Sequence, residues 1–263
     1  MASMDLDGVG VAYPIYNAAS KSLRKHLVRI STGGLIKADR GQVATVQALT
    51  DITLRLGDGD RIGLIGHNGS GKTTLLRTMA GIFRPTSGRI SVSGRVSTVF
   101  GLGAGMDPEL TGYENIIRMS MLLGASHAEA LAATPGIEEF SELGGFLSMP
   151  VRTYSAGMTT RLLFGVATAT HPEILLIDEV IGAGDADFQV KARKRMSDFA
   201  AKASILVLAS HSPELIQSFC NRVIRLEHGR IVSDEVIAKR VDHTPQDEAQ
   251  TAAPVAEATG RRA

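Results

Sequence analysis

The 263 residues include one cysteine, Cys220, and no tryptophan. One cysteine cannot close a disulfide within the chain, so packing must hold the core and a reducing compartment is the expected setting. Long apolar runs are also missing. No stretch approaches the roughly 20 apolar residues needed to cross a bilayer. The opening "MASMDLDGVG" is acidic and lacks the apolar centre of a signal peptide. Neither sign of charge dominates: 28 Lys and Arg stand against 27 Asp and Glu, which leaves no whole-chain case for nucleic-acid binding. No internal repeat is visible. The expectation is a soluble, cytoplasmic protein whose membrane role, if it has one, needs a separate partner or a surface-lying segment. Its 44% hydrophobic content suffices for an ordinary core in one large domain or two modest ones.

Apolar periodicity then sketches the elements. In "ALTDITLRL" (48–56), Ile52, Leu54 and Leu56 share one face at period two, the pattern of a half-buried strand. "RIGLI" (61–65), "GRVSTVF" (94–100), "EILLID" (173–178), "SILVLAS" (204–210) and "RVIRL" (222–226) read as strands, and "HGR" (228–230) as a turn. Residues 72–82 read as a helix. Residues 112–170 read as mostly helical, opened by a capping box at Thr111 and Glu114 and interrupted near Pro135 and Pro150. Ser212 and Pro213 suit the cap and first position of another helix. The alternation predicts an α/β fold with a largely parallel sheet and a helical insertion.

"SGKTTLL" raises the question of chemistry. The stretch Gly66-His67-Asn68-Gly69-Ser70-Gly71-Lys72-Thr73 follows a strand and opens a helix, the context that confirms a P-loop. Its glycines let backbone N–H groups wrap a phosphate chain. Lys72 is placed to reach the β- and γ-phosphates of ATP, and Thr73 to ligate Mg²⁺. The run "ILLIDE" delivers Asp178 to the carboxyl end of a buried strand, where α/β sheets bind ligands. Asp178 is expected to hold Mg²⁺ through water. Glu179 beside it could polarise the attacking water; the alternative is a solvated strand-end acid.

"YSAGM" (154–158) makes a family resemblance specific. The chain resembles the nucleotide-binding subunits of ABC transporters, whose L-S-G-G-Q signature is matched here at Ser155 and Gly157. From the residues alone, Ser155 is a good N-cap for a helix over 156–170, whose N-terminus attracts phosphate. The resemblance implies that this helix end faces the γ-phosphate held by a second copy's P-loop, with two nucleotides sandwiched in a head-to-tail dimer. It also implies nucleotide contacts from Thr74, a bridging role for Asp185 in "GAGDADF", and a γ-phosphate contact from His211 in "ASHS". It covers about residues 48–235. The implied fold is a P-loop ATPase core with a mostly parallel sheet, an antiparallel β part near the N-terminus and a helical insertion.

Four longer stretches narrow the branch: "YPIY" (13–16), "GLGAGMDPELTGYENI" (101–116), "PVRTYSAGMTTRLLF" (150–164) and "DEVIGAGDADF" (178–188). They look like the ATPases that export lipid-linked polysaccharides such as O-antigen, capsule, teichoic acid or galactan. Two departures stand out. Gly101 occupies the place where most relatives carry a metal-contacting glutamine. No aromatic lies in 42–47 to stack on adenine, so Tyr13, with Tyr16 second, is the expected platform; a packed core tyrosine is the alternative. In "SKSLRKHLVRI" (20–30), Leu23, Leu27 and Ile30 share a face that Lys21, Arg24, Lys25 and Arg29 mostly avoid. That suits a membrane surface or a basic face packed on the domain.

The expected organisation is an N-terminal strand and basic helical insertion over 1–47, an α/β core over 48–100 and 171–235, a helical subdomain over 101–170, and a disordered tail over 236–263. The expected partners are a second copy, a polytopic membrane permease and the inner face of the plasma membrane, and no nucleic acid. The rival readings are an ATPase for a small-solute importer or a drug or lipid exporter, a soluble ABC ATPase acting on DNA or ribosomes, and a non-catalytic binding module.

Overall fold

The computed structural model describes residues 1–14, 36–37, 45–99, 103, 105–170, 172–178 and 186–237. The readings for Tyr16, the basic segment 20–30, Gly101, Glu179, Asp185 and residues 242–263 lie outside these. In chain order the strands are β1 (Ser3–Pro14), β2 (Ile36–Lys37), β3 (Thr45–Leu56), β4 (Arg61–Ile65), β5 (Ser87–Ser93), β6 (Val96–Thr98), β7 (Ile174–Asp178), β8 (Ile205–Ala209), β9 (Arg222–Glu227) and β10 (Arg230–Val236). The helices are α1 (Lys72–Met79), α2 (Gly112–Leu122), α3 (His127–Ser141), α4 (Ala156–Ala167), α5 (Ala186–Lys202) and α6 (Pro213–Phe219).

Two sheets form. One is antiparallel, ordered β2-β3-β1-β5; the other runs β10-β9-β4-β8-β7-β6. In the second, β4, β6, β7, β8 and β9 pair in parallel, and β10 turns back on β9 as a hairpin. Strands β7 and β8 are unbroken apolar runs because both of their faces are covered. Ile174 and Leu176 of β7, with Ile205 and Val207 of β8, face the antiparallel sheet and α1. Their neighbours Leu175, Ile177, Leu206 and Leu208 face Phe188, Met196 and Phe199 of α5 and Ile216 of α6. Each such Leu or Ile, fully buried, contributes about 1.5–3 kcal/mol. Helix α1 is thus clamped between two sheets through Leu75, Leu76 and Met79, and its N-terminus cannot drift.

Helices α2, α3 and α4 enclose a separate core of Ile116, Met119, Ile137, Leu143, Leu147, Val151, Leu162 and Val166. Thr111 and Glu114 form the expected capping box, and Ser126 and Glu129 form another ahead of α3. The interruption expected at Pro135 does not occur: α3 runs through it to Ser141. Proline removes the N–H that would serve the carbonyl of Leu131, but Leu131 is exposed and solvent can serve that oxygen. The breaks fall at Gly124 and at Glu142, both in the left-handed region, and, as expected, near Pro150, which separates the short 3-10 turns Gly144–Ser148 and Val151–Thr153. Other limits also shift. Helix α1 stops at Met79 and α4 at Ala167, each short of the limit read from the pattern. Strand β3 starts at Thr45, β10 runs to Val236, and β5 went unread because its only apolar residues are the alternating pair Ile90 and Val92, too short a pattern, and nearly all of it is exposed. No helix among the described residues is long and apolar enough to cross a membrane.

Candidate nucleotide site

Strand β4 ends at Ile65 and the chain turns at Gly66 with φ 154°. A Cβ at Gly66 would collide with the carbonyl of Leu226 and the Ser70 hydroxyl, so glycine is required there. The loop closes at Gly71, φ 110°, which caps α1 with no side chain. Lys72 is only 9% exposed. Its Nζ donates to the carbonyls of Gly66, at 2.7 Å, and His67, at 3.2 Å. The ammonium is therefore folded back over the loop, and the first-turn N–H groups of α1 point the same way as its positive dipole end. Ser70 is fully buried and its Oγ has no partner, a polar atom already inside the cradle.

A cleft of about 260 Å³ opens over this loop. Asn68, Gly69, Ser70, Gly71, Lys72, Thr73 and Thr74 line it, with Asp178 from the end of β7 and Ala209, Ser210 and His211 from the end of β8. Val46, Gln47 and Ala48 of β3 form the remaining wall. The sheet thus brings together Lys72, Thr73, Asp178 and His211, which are scattered along the sequence. Parallel strands end on one edge, and the residues at or just past the carboxyl ends of β4, β7 and β8 meet there. The Thr73 hydroxyl and the Asp178 carboxylate are hard oxygen donors in one cleft, a set that fits Mg²⁺ shared with phosphate oxygens. Behind His211, Ser212 caps α6 and its hydroxyl bonds the Glu214 carboxylate at 2.6 Å, which holds that acid below its usual range.

Other residues singled out from the sequence stand elsewhere. Gly66 and His67 do not line the cleft; they serve it through the carbonyls that bind Lys72. The His67 ring lies 5.2 Å, centroid to centroid, from that of His228. Tyr13 packs edge-on against Phe83, with centroids 5.4 Å apart at 76°, and its hydroxyl lies 3.4 Å from Thr74 Oγ1. It borders the cleft through Thr74 and is partly buried on the core. Ser155 caps α4 and accepts from the Met158 N–H at 3.2 Å, but neither it nor Gly157 lines this cleft.

The sequence reading missed a staple. The Gly229 N–H donates to Ser70 O at 2.9 Å, and Gly229 O accepts from the Thr50 N–H at 2.8 Å. The β9–β10 turn thereby ties the phosphate loop to β3. A Cβ on Gly229 would strike the Ala48 carbonyl, and φ there is +74°. Gly229→Ala is expected to cost about 1–3 kcal/mol of stability and to weaken nucleotide binding. Chemical denaturation with a parallel nucleotide titration checks this, and an unchanged midpoint would refute it. The turn was legible in "HGR", but no local signal marked its partner.

Comparison with known proteins agrees with this geometry. The ABC transporter family matches residues 49–182. The chain is 60% identical over 236 residues to the O-antigen export system ATP-binding protein RfbE of Yersinia enterocolitica, spanning 90% of this chain and 99% of that protein. It is 36% identical over 198 residues to the teichoic acids export ATP-binding protein TagH of Listeria innocua, spanning 75% of this chain and 59% of that protein. Among solved structures, a dimeric ATP-binding cassette in a post-hydrolysis state with ADP and Pi superimposes with a TM-score of 0.64 at 19% identity, over 89% of this chain and 98% of that one. That likeness extends to the fold, the two-sheet core with its helical unit. The chain belongs to the ABC transporter family and is built as its ATPase cassette.

Proposed function

We propose that this chain binds and hydrolyses ATP at the cytoplasmic face of the plasma membrane, powering export of a lipid-linked polysaccharide through a separate membrane subunit. The observation that carries the reading is the 60% identity to an O-antigen export ATPase over nearly that protein's whole length. The cleft supplies the chemistry. Its loop amides and Lys72 grip the β- and γ-phosphates. Mg²⁺ held by Thr73 and Asp178 would neutralise charge on those phosphates. Glu179, next in the chain after Asp178, polarises the attacking water, and His211 at the rim contacts the γ-phosphate.

A second copy completes the site. Ser155 and Gly157 sit away from their own chain's cleft, which supports a head-to-tail pair in which each α4 N-terminus faces the partner's ATP. ATP would draw the pair together because it makes contacts to both halves only when they are closed. Asp185 bridges the two sites. Tyr13, already held beside Thr74, swings onto adenine. The membrane subunit docks on the helical unit near Gly105, where Met121 and Leu122 are exposed apolar residues.

Deleting the gene tests this. The expected result is loss of one surface polysaccharide and build-up of its lipid-linked form inside the cell, with a polytopic membrane protein copurifying with the intact chain. Unchanged surface polymer would overturn the export reading, and copurification of ribosomes or DNA would replace it.

A further inference from the structure

Helices α5 and α6 cover the parallel sheet on the face opposite α1, but they do not close over it completely. A groove of about 230 Å³ stays open between them. Ile177 of β7 and Leu206 and Leu208 of β8 form its floor. Met196 and Ala200 of α5 make one wall, and Leu215 and Phe219 of α6 make the other. Both pairs are four residues apart, so each helix turns one apolar ridge toward the groove.

Among the described residues only two polar side chains line this groove. The Ser218 hydroxyl donates to the Leu215 carbonyl at 3.1 Å and is already engaged. Arg193 stands one turn before Met196 on the same face of α5. It is exposed and has no hydrogen bond or ion pair among the described residues. Water inside would find almost nothing to bond, and a sugar or nucleotide would leave its polar groups unpaired. A hydrocarbon would gain dispersion contacts on the floor and both walls. The volume equals that of roughly eight liquid waters, room for one tail.

Charge selects the other end of the ligand. Helix α5 carries five cations, Lys191, Arg193, Lys194, Arg195 and Lys202, against two acids. On α6, Glu214 is bound by the Ser212 hydroxyl. A free guanidinium beside an apolar slot is a fork for two oxygens of a phosphate or carboxylate. We propose that this groove binds a single-chain amphiphile with an anionic head, its tail lying between α5 and α6 and its head on Arg193. The site lies across the sheet from the nucleotide cleft and takes a different class of ligand.

Calorimetric titration of the full-length chain with decyl phosphate, kept below its micelle concentration, tests this. One molecule per chain is expected, with affinity rising about fourfold per methylene from hexyl to decyl phosphate. Decanoate tells a carboxylate ligand from a phosphate one, and binding of either supports the site. Neutral decanol should bind about fivefold more weakly than decyl phosphate, and Arg193→Gln should erase that difference. Ala200→Leu fills the groove and Ser218→Phe blocks its exposed rim; each should weaken decyl phosphate at least tenfold. The rim variant keeps the test open if the buried one does not fold. Equal affinity for decyl phosphate and decanol in the wild-type chain would overturn the proposal. So would binding undiminished in the filled variants, or no binding of any probe because the chain's own residues or a second copy occupy the groove. No measurement here involves ATP, so failure of this inference and failure of the ATPase reading are separate results.

Discussion

Lys72→Ala is expected to abolish measurable ATP binding. The ammonium spans the carbonyls of Gly66 and His67, so the chain's own backbone holds the charge at the phosphate loop. A phosphate chain would exchange those two carbonyl contacts for charge-assisted ones, each worth about 1.5–3 kcal/mol. Alanine removes the only lysine or arginine among the described residues lining the cleft and frees the carbonyls of Gly66 and His67. Losing two such contacts corresponds to a roughly 10²–10⁴-fold weaker Kd. Calorimetric titration with MgATP measures this directly. The substitution should spare the fold, because the ammonium bonds the loop itself, at Gly66 and His67, rather than the core. Wild-type affinity in a normally melting variant would contradict the phosphate cradle.

Glu179→Gln is expected to separate binding from chemistry. The amide keeps the size of the carboxyl but cannot accept a proton from water, so turnover should fall about 10²–10⁴-fold while ATP still binds. If hydrolysis reopens the proposed head-to-tail pair, the trapped variant accumulates as an ATP-dependent dimer, readable by size-exclusion chromatography with light scattering. Normal turnover would remove Glu179 from the base role. A variant that is inactive but stays monomeric with saturating MgATP would count against the head-to-tail pair. The two substitutions make a control for each other: one fails before ATP is bound, the other after.

Much of the site was legible because its signals are local. The glycines of the phosphate loop answer to their own backbone angles, and the capping residues at Thr111, Ser155 and Ser212 each bond an N–H three residues on. The apolar run ahead of Asp178 announced a strand covered on both faces. What escaped was held by distant partners. Pro135 should have ended a helix on local grounds, yet packing of Ile137 and Phe140 on α4 carried the helix past it. Strand β5, nearly all exposed, exists because β1 offers it a ladder of backbone bonds. Tyr13 looked like a base platform, and the structure adds that Phe83 and Thr74 already hold it.

The sequence by itself determined the chemistry: which residues can bind phosphate, bear a metal or cap a helix, since each depends on side-chain type and on neighbours a few positions away. Tertiary structure alone decided the company those residues keep. It set β4 between β8 and β9, so that Asp178 and His211 open onto the cleft over Lys72. It pinned the loop with a glycine from a turn far down the chain, and it left Ser155 outside its own cleft. Strand order and cross-sheet contacts arise from pairing between distant segments, which no short window of residues encodes.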